Sequence, residues 1–262
     1  MIQERSVVKS VECIADGVYS IIFETDIAKT AAAGQFVMVN PCSQAHLLGR
    51  PISICEINKD DGSLRLVFRV VGHGTDELSK ARPGDSFDLL GPLGNGFDIS
   101  KSAADSVVVL MGGGIGAPPL LGLAESLKAA GVKKIISVLG YRGKAAGIFL
   151  KEEFAKCSEL LIATDDGSEG FKGNVVEALR AENINADIIY SCGPMPMLKA
   201  IKTYAEEKDI AAYISLEERM ACGVGACLGC VVKTKKEDAH SHVNNARICT
   251  EGPVFEAREV DI

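Results

Sequence analysis

Four of the nine cysteines crowd into the last fifth of the chain as Cys222-x4-Cys227-x2-Cys230, then 18 residues, then Cys249. Such a set leaves the local backbone little choice. Three sulfurs from one short loop and a fourth from a returning segment, RICTEGP, must converge on one centre. Gly223, Gly225 and Gly229 let the loop MACGVGACLGC bend that sharply, and small residues let N–H groups approach sulfur. The spacing matches plant-type [2Fe–2S] ligation, with Cys222, Cys227, Cys230 and Cys249 as the candidate metal ligands. Zinc sites usually pair two C-x2-C hooks, and only Cys227 and Cys230 form one here, so a redox cluster is favoured over a zinc knuckle or four reduced structural thiols. The remaining cysteines, Cys13, Cys42, Cys55, Cys157 and Cys192, are scattered singly. An odd total without an export signal argues against a disulfide framework. His46, His73, His240 and His242 fit no ligand pattern.

The residues before this loop follow two different periodicities. Up to about residue 100, short apolar runs (SVVKSVECI, VYSIIFET, QFVMVN, RPISICEI, LRLVFRVV, DSFDLLG) are broken by turn residues, which predicts a small antiparallel barrel or sandwich. Beyond Ser100, apolar strands alternate with helical segments: SVVVLM then LLGLAESLKAA, KKIISVLG then FLKEEFAKC, LLIAT then GNVVEALRAE, DIIYSCG then MLKAIKTYAEEK. That alternation predicts a doubly wound parallel α/β sheet covered on both faces. The expected fold is therefore β plus α/β in three modules: an antiparallel β-barrel over 1–101, an α/β domain over 102–212 and a small ferredoxin-like [2Fe–2S] module over 213–262.

A chain of 262 residues with 47% hydrophobic content has material for such cores. A net charge of −7 without a basic patch argues against nucleic acid as a partner. No apolar run approaches the roughly 20 residues that span a bilayer, and the start lacks the apolar core of a signal peptide. The expectation is a cytoplasmic protein without membrane attachment.

Two further regions suggest nucleotides. Gly112-Gly113-Gly114-Ile115-Gly116-Ala117 lies between a buried strand and a helix, where a phosphate could meet helix N–H groups. No acidic residue follows about 20 positions on, so this is not the standard dinucleotide fingerprint. Pro118-Pro119 at the helix start points to a different nucleotide-binding sheet. Arg50-Pro51-Ile52-Ser53 opens a strand where a guanidinium fork could grip a pyrophosphate. Gly72-His73-Gly74-Thr75 could offer N–H groups and a hydroxyl to the same anion. A one-electron cluster beside nucleotide sites calls for a two-to-one electron converter, which is the role of a flavin.

The order of these motifs resembles the ferredoxin–NADP reductase superfamily, and within it the iron–sulfur electron-transfer subunits of NAD-dependent (class 1B) dihydroorotate dehydrogenases. LGRPISICE, FRVVGHGTDELSKARPGDSFDLLGPLGNGF, GGGIGAPPL, SCGPMPML, ERMACGVGACLGC and RICTEGPVF carry the likeness from end to end. The resemblance implies that Arg50, Pro51, Ile52 and Ser53 contact FAD, with Arg50 on the pyrophosphate and Ser53 near the reactive edge of the isoalloxazine. It adds Val67, Phe68, Arg69, Gly74 and Thr75 to the flavin site. Gly112, Gly113, Gly114 and Gly116 would receive the phosphates of NAD, and Cys192, Gly193 and Pro194 would lie at its nicotinamide end. Ser53 and Cys192 are thus the candidate catalytic residues. The resemblance further implies an oxidoreductase role in pyrimidine biosynthesis. Electrons would pass from an FMN-containing dihydroorotate dehydrogenase catalytic subunit through [2Fe–2S] and FAD to NAD, in a heterotetramer of two chains of each kind.

No clustered acid–base set remains for an organic substrate, which agrees with a missing catalytic partner. The loop around Cys222, with Val224 and Leu228, is the expected docking surface. A rival reading is the small subunit of a ferredoxin–NADP transhydrogenase, a sulfide dehydrogenase or a hydrogenase diaphorase. As far as the resemblance carries, those loops often place an aspartate where Cys222 stands. A colourless zinc-stabilised or nucleotide-sensing module is the rival from another class. NAD and NADP are not separated by the residues: Arg142 after Tyr141 could meet a 2′-phosphate, and Asp165-Asp166-Gly167 could touch nucleotide or cap the next segment.

Overall fold

A computed structural model describes residues 1–40, 48–237 and 242–262. Cys42, His46 and His240 lie outside the described residues.

The first hundred residues contain β1 (Ile2–Ala15), β2 (Val18–Glu24), β3 (Phe36–Asn40), β4 (Arg50–Asn58), β5 (Ser63–Arg69), helix α1 (His73–Ser79) and β6 (Ser86–Leu93). The strands close into an antiparallel barrel in the order β1-β2-β5-β4-β3-β6. Alternation explains the closure. Ile21 and Phe23, Val37 and Val39, Leu64, Leu66 and Phe68, Phe87 and Leu89 sit two residues apart and all point into one buried core. The choice between barrel and sandwich is settled as a barrel.

The α/β region follows the expected alternation: β7 (Val107–Gly113), α2 (Pro118–Ala129), β8 (Lys134–Tyr141), α3 (Lys151–Cys157), β9 (Glu159–Thr164), β10 (Phe171–Lys172), α4 (Val175–Ala181), β11 (Ile188–Cys192), α5 (Met195–Lys208) and β12 (Ala211–Ser215). Three short strands complete the chain: β13 (Val231–Lys233), β14 (Asn245–Arg247) and β15 (Val254–Glu256). The second sheet runs β10-β9-β8-β7-β11-β12-β15, parallel except where β15 pairs antiparallel with β12. β7 is buried on both faces and therefore reads as an unbroken apolar run. Helix α5 buries Leu198, Ile201, Tyr204 and Ala205 on one face and turns its lysines and glutamates outward. Among the described residues no helix is long and apolar enough to cross a membrane.

Two features of the architecture differ from three modules in series. The boundary expected at 212 falls inside β12, and the cysteine-bearing segment returns to the same sheet through β15. The segment also lacks a core of its own. Cys230, Ile248 and Cys249 share one buried cluster with Phe36, Met38 and Leu93 of the barrel and with Val109, Met111 and Ile214 of the sheet.

The barrel and the sheet meet where α2 lies on β4. Almost every side chain in the first turns of α2 is buried, because the helix is enclosed by the sheet on one side and the barrel on the other. Gly122 makes the approach possible: a Cβ there would stand 2.5 Å from the Cys55 carbonyl oxygen. Beside this contact the Arg65 guanidinium pairs with Glu56, donates from Nε to Ser20 Oγ at 2.8 Å, and reaches Glu153 of α3 at 3.6 Å. Glu125 of α2 faces Glu56, and burial followed by the Glu56 charge pushes its carboxyl up to about 7.

Gly122→Val is expected to lower stability by about 1–3 kcal/mol through overpacking against backbone, more than a helix gains by losing a glycine, about 1 kcal/mol. Urea denaturation of the purified chain measures the difference. The folded state keeps the Glu125 proton between its ordinary value and about 7, whereas the unfolded chain releases it. Stability from this group therefore falls as pH rises through that window. Glu125→Gln cannot lose a proton, so its melting temperature should gain on the wild type from about pH 5 to about pH 8 in calorimetry; a constant difference would contradict the assignment.

Candidate functional site

Strands β4 and β5 are antiparallel neighbours, so the start of one and the end of the other lie side by side. They form the floor of a cavity of about 700 Å³, lined by Arg50, Pro51, Ile52, Ser53, Val67, Phe68, Arg69 and Thr75 together with Phe36, which faces Ser53 across the β3–β4 ladder. The opposite wall is the segment Ser215–Met220 and Ile115. Gly74 lies outside the lining. A side chain there would collide with the Arg50 guanidinium, so Gly74 makes room for the arginine and does not itself face the cavity. The Thr75 hydroxyl is engaged in its own turn: it accepts from Val71 N at 3.0 Å and Gly72 N at 3.2 Å and donates to Gly72 O at 3.0 Å.

A second cavity of about 510 Å³ opens at the carboxyl ends of β7, β8, β9 and β11, where open α/β sheets bind ligands. Gly113, Gly114, Gly116, Gly193 and Pro194 line it, with Tyr141, Arg142, Asp165, Asn174 and Met197 around the far side. Gly116 is required by the close passage of two loops, since a Cβ there would overlap the Cys192 carbonyl and Gly193 Cα. Arg142 and Asp165 both face the cavity, so neither sign of charge dominates its far end.

Two expected residues stand behind this wall. Gly112 is packed among Leu139, Ala117 and Leu120. Cys192 is fully buried in the core beneath the sheet's carboxyl end, and burial pushes its thiol well up. Its Sγ lies 4.0 Å from Glu217 Oε1. Cys192 ends β11, every residue of which is buried in a sheet covered on both faces, and the cavity begins at the next residue, Gly193.

Arg69, Ile115 and Glu217 line both cavities. Glu217 was not among the residues expected from sequence. It sits in the run Leu216-Glu217-Glu218-Arg219, which reads as a solvated turn, and only its place just after β12 hints at a role. The protein walls around its carboxylate raise its pKa above the ordinary carboxylate range. The two cavities are thus neighbours, with a carboxylate and a guanidinium at their shared boundary.

Beyond Met220 the chain enters the cysteine loop. Gly223 (φ +69°), Gly225 (φ +81°) and Leu228 (φ +56°) take left-handed conformations, and the backbone folds its N–H groups inward. Val224 N and Cys227 N each donate to Cys222 Sγ at 3.4 Å, and Gly225 N donates to Cys249 Sγ at 3.2 Å. Backbone donation pulls the Cys222 thiol down to about 6, whereas burial and the neighbouring Cys230 push Cys249 up to about 11. The thiols come as two pairs, Cys222 with Cys227 and Cys230 with Cys249. Among the described residues no three His, Cys, Asp or Glu side chains form a single metal-binding group as they stand.

Residues 217–261 match the family described as the iron–sulfur cluster binding domain of dihydroorotate dehydrogenase B. The chain is 43% identical over 261 residues to the dihydroorotate dehydrogenase B (NAD(+)) electron transfer subunit of Geobacillus kaustophilus (strain HTA426), covering 98% of each chain. It is 42% identical over 244 residues to the subunit of the same name from Streptococcus pneumoniae (strain ATCC BAA-255 / R6), covering 93% of each. Among solved structures, a chain from work on flavin-based electron bifurcation by the NADH-dependent reduced ferredoxin–NADP oxidoreductase superposes with a TM-score of 0.85 at 31% identity, over 98% of this chain and 89% of that one. A ferredoxin–NADP+ reductase from Neisseria gonorrhoeae shares the fold, with a TM-score of 0.67 at 14% identity over 79% of this chain and 91% of that one. Full-length identity of this order, on a barrel, a nucleotide sheet and a cysteine loop in the same sequence, places the chain in the family of dihydroorotate dehydrogenase B (NAD(+)) electron transfer subunits.

Proposed function

We propose that the chain carries electrons between an FMN-bearing catalytic subunit and NAD, with FAD in the 700 Å³ cavity, the dinucleotide in the 510 Å³ cavity and [2Fe–2S] on the four cysteines. When bound, such a cluster exchanges single electrons and such a flavin exchanges singles or pairs, which joins the two ends of the route. The observation that carries this reading is that the two cavities are neighbours, with Arg69, Ile115 and Glu217 in the lining of both.

The residues have separable tasks. Arg50 is braced by the Leu48 carbonyl and by the room left at Gly74, which suits it to grip a pyrophosphate. Ser53 lines the first cavity beside Phe36. Gly113, Gly114 and Gly116 offer bare backbone to a dinucleotide, and Gly193-Pro194 would border its nicotinamide end. Cys192 supports that end from behind, in contact with Glu217. In the cysteine loop, three N–H groups already aimed at sulfur suit thiolates that share charge with iron. Two pairs of thiols agree with two irons holding two cysteines each.

Leu228 is 63% exposed and Val224 39% exposed on this loop, an apolar patch beside the cluster ligands that would dock the catalytic subunit. A heterotetramer of two chains of each kind, in the cytoplasm, is the assembly this reading implies. The 31% likeness to a chain of a ferredoxin–NADP oxidoreductase supports a second reading, a transhydrogenase-type partner on the same patch.

Co-expression with an FMN-type dihydroorotate dehydrogenase subunit should yield FAD, iron and sulfide on acid extraction, with dihydroorotate-dependent NADH formation only when both chains are present. Cofactors without that activity would favour the second reading; a colourless preparation would overturn both. Leu228→Glu should weaken assembly about tenfold or more in a titration of the two subunits while leaving cluster absorbance intact. Unchanged assembly would remove the loop from the interface.

A further inference from the structure

The fourth cysteine is held by a side chain that no ligand assignment includes. Arg247 ends β14, two residues before Cys249. Its own N–H donates to Glu251 Oε2 at 2.6 Å, its Nε donates to the same oxygen at 3.0 Å, and its Nη1 reaches the Gly225 carbonyl at 3.4 Å. Its carbonyl accepts from the N–H groups of Thr250, Glu251 and Gly252 at 3.2, 2.8 and 3.3 Å. The barrel braces the same turn, because Asn95 Nδ2 donates to the Thr250 and Glu251 carbonyls at 3.1 and 3.0 Å. Arg247 therefore links both halves of the cysteine site.

The link acts on one particular residue. Gly225 has φ +81°, a region that only glycine enters freely, so its orientation is set by what grips it. Its carbonyl is held by Arg247, and its N–H points at Cys249 Sγ at 3.2 Å.

We propose that Arg247 is a positioning residue for electron transfer, holding the Gly225 N–H on the Cys249 sulfur and setting a cation beside the cluster, and that it thereby raises the cluster's reduction potential. The inference rests on the reading that Cys222, Cys227, Cys230 and Cys249 hold [2Fe–2S]. Accepting one electron makes the cluster one charge more negative, with no atom transferred. A hydrogen-bond donor on a ligand sulfur and a nearby cation both favour the more negative form. Glu251 orients the guanidinium and offsets part of its charge. The two residues should therefore act in opposite directions on the potential, whereas a merely structural role would move both variants the same way.

The test is a redox titration of the cluster in the purified, FAD-loaded full chain, read by visible absorbance and electron paramagnetic resonance, for wild type, Arg247→Gln, Arg247→Lys and Glu251→Gln. At the wild-type midpoint, Arg247→Gln should lower the reduced-to-oxidised ratio about threefold or more, about 30 mV for one electron. Arg247→Lys, which keeps the charge and loses the fork, should fall between the two. Glu251→Gln should raise the ratio. Loaded variants with unchanged midpoints, or with both midpoints moving the same way, overturn the proposal. Should Arg247→Gln not retain its cluster, a Glu251→Gln midpoint at or below wild type overturns it equally. A wild type without iron and sulfide would instead defeat the ligand assignment on which the proposal rests.

Discussion

Backbone touches backbone where the barrel meets the nucleotide sheet, and the placing of both cavities follows from that contact. With no side chain at Gly122, α2 settles directly on the Cys55 carbonyl of β4. β4 begins at Arg50 and carries one wall of the first cavity; α2 follows the glycine turn that walls the second. One helix and one strand thus hold the two ligand surfaces at a set separation. The half-buried Arg65, with Glu56 of β4 and Glu153 of α3 around it, ties the barrel to the helix layer beside a contact whose closeness comes from packing.

The same economy extends to the cysteines. Because Cys230 and Cys249 share a core with Phe36 and Met38 of the barrel and Val109 of the sheet, the iron–sulfur segment cannot move as a separate body without opening that core. The linker Ser215–Met220 serves as one wall of the first cavity on its way to the loop. A chain that relays electrons gains from such rigidity, since the separation of its centres does not depend on domain closure.

Most of the fold was legible because it depends on local periodicity. Alternating apolar residues predict barrel strands, and unbroken apolar runs predict buried parallel ones. The illegible parts depend on distant partners. The boundary at 212 failed because β12 is completed by β15, some forty residues later, and no local signal marks that pairing. Glu217 went unnoticed because a glutamate beside Glu218 and Arg219 looks solvated, and only the fold brings it to the meeting point of two cavities. Cys192 was expected to face the ligand from its place at a strand end, but it belongs to a strand whose every residue is buried.

The pairing of β15 with β12 also bears on how such a chain is made. The cysteine hairpin is an excursion between two neighbouring strands of one sheet, so during vectorial synthesis the outer edge of β12 stays bare until residues 254–256 have left the ribosome. A bare edge is a template for foreign strands. The stretch that delivers Cys249 is followed within a few residues by the strand that seals this edge. Delivery of the last sulfur and protection against aberrant strand pairing therefore come from one short piece of chain, in that order.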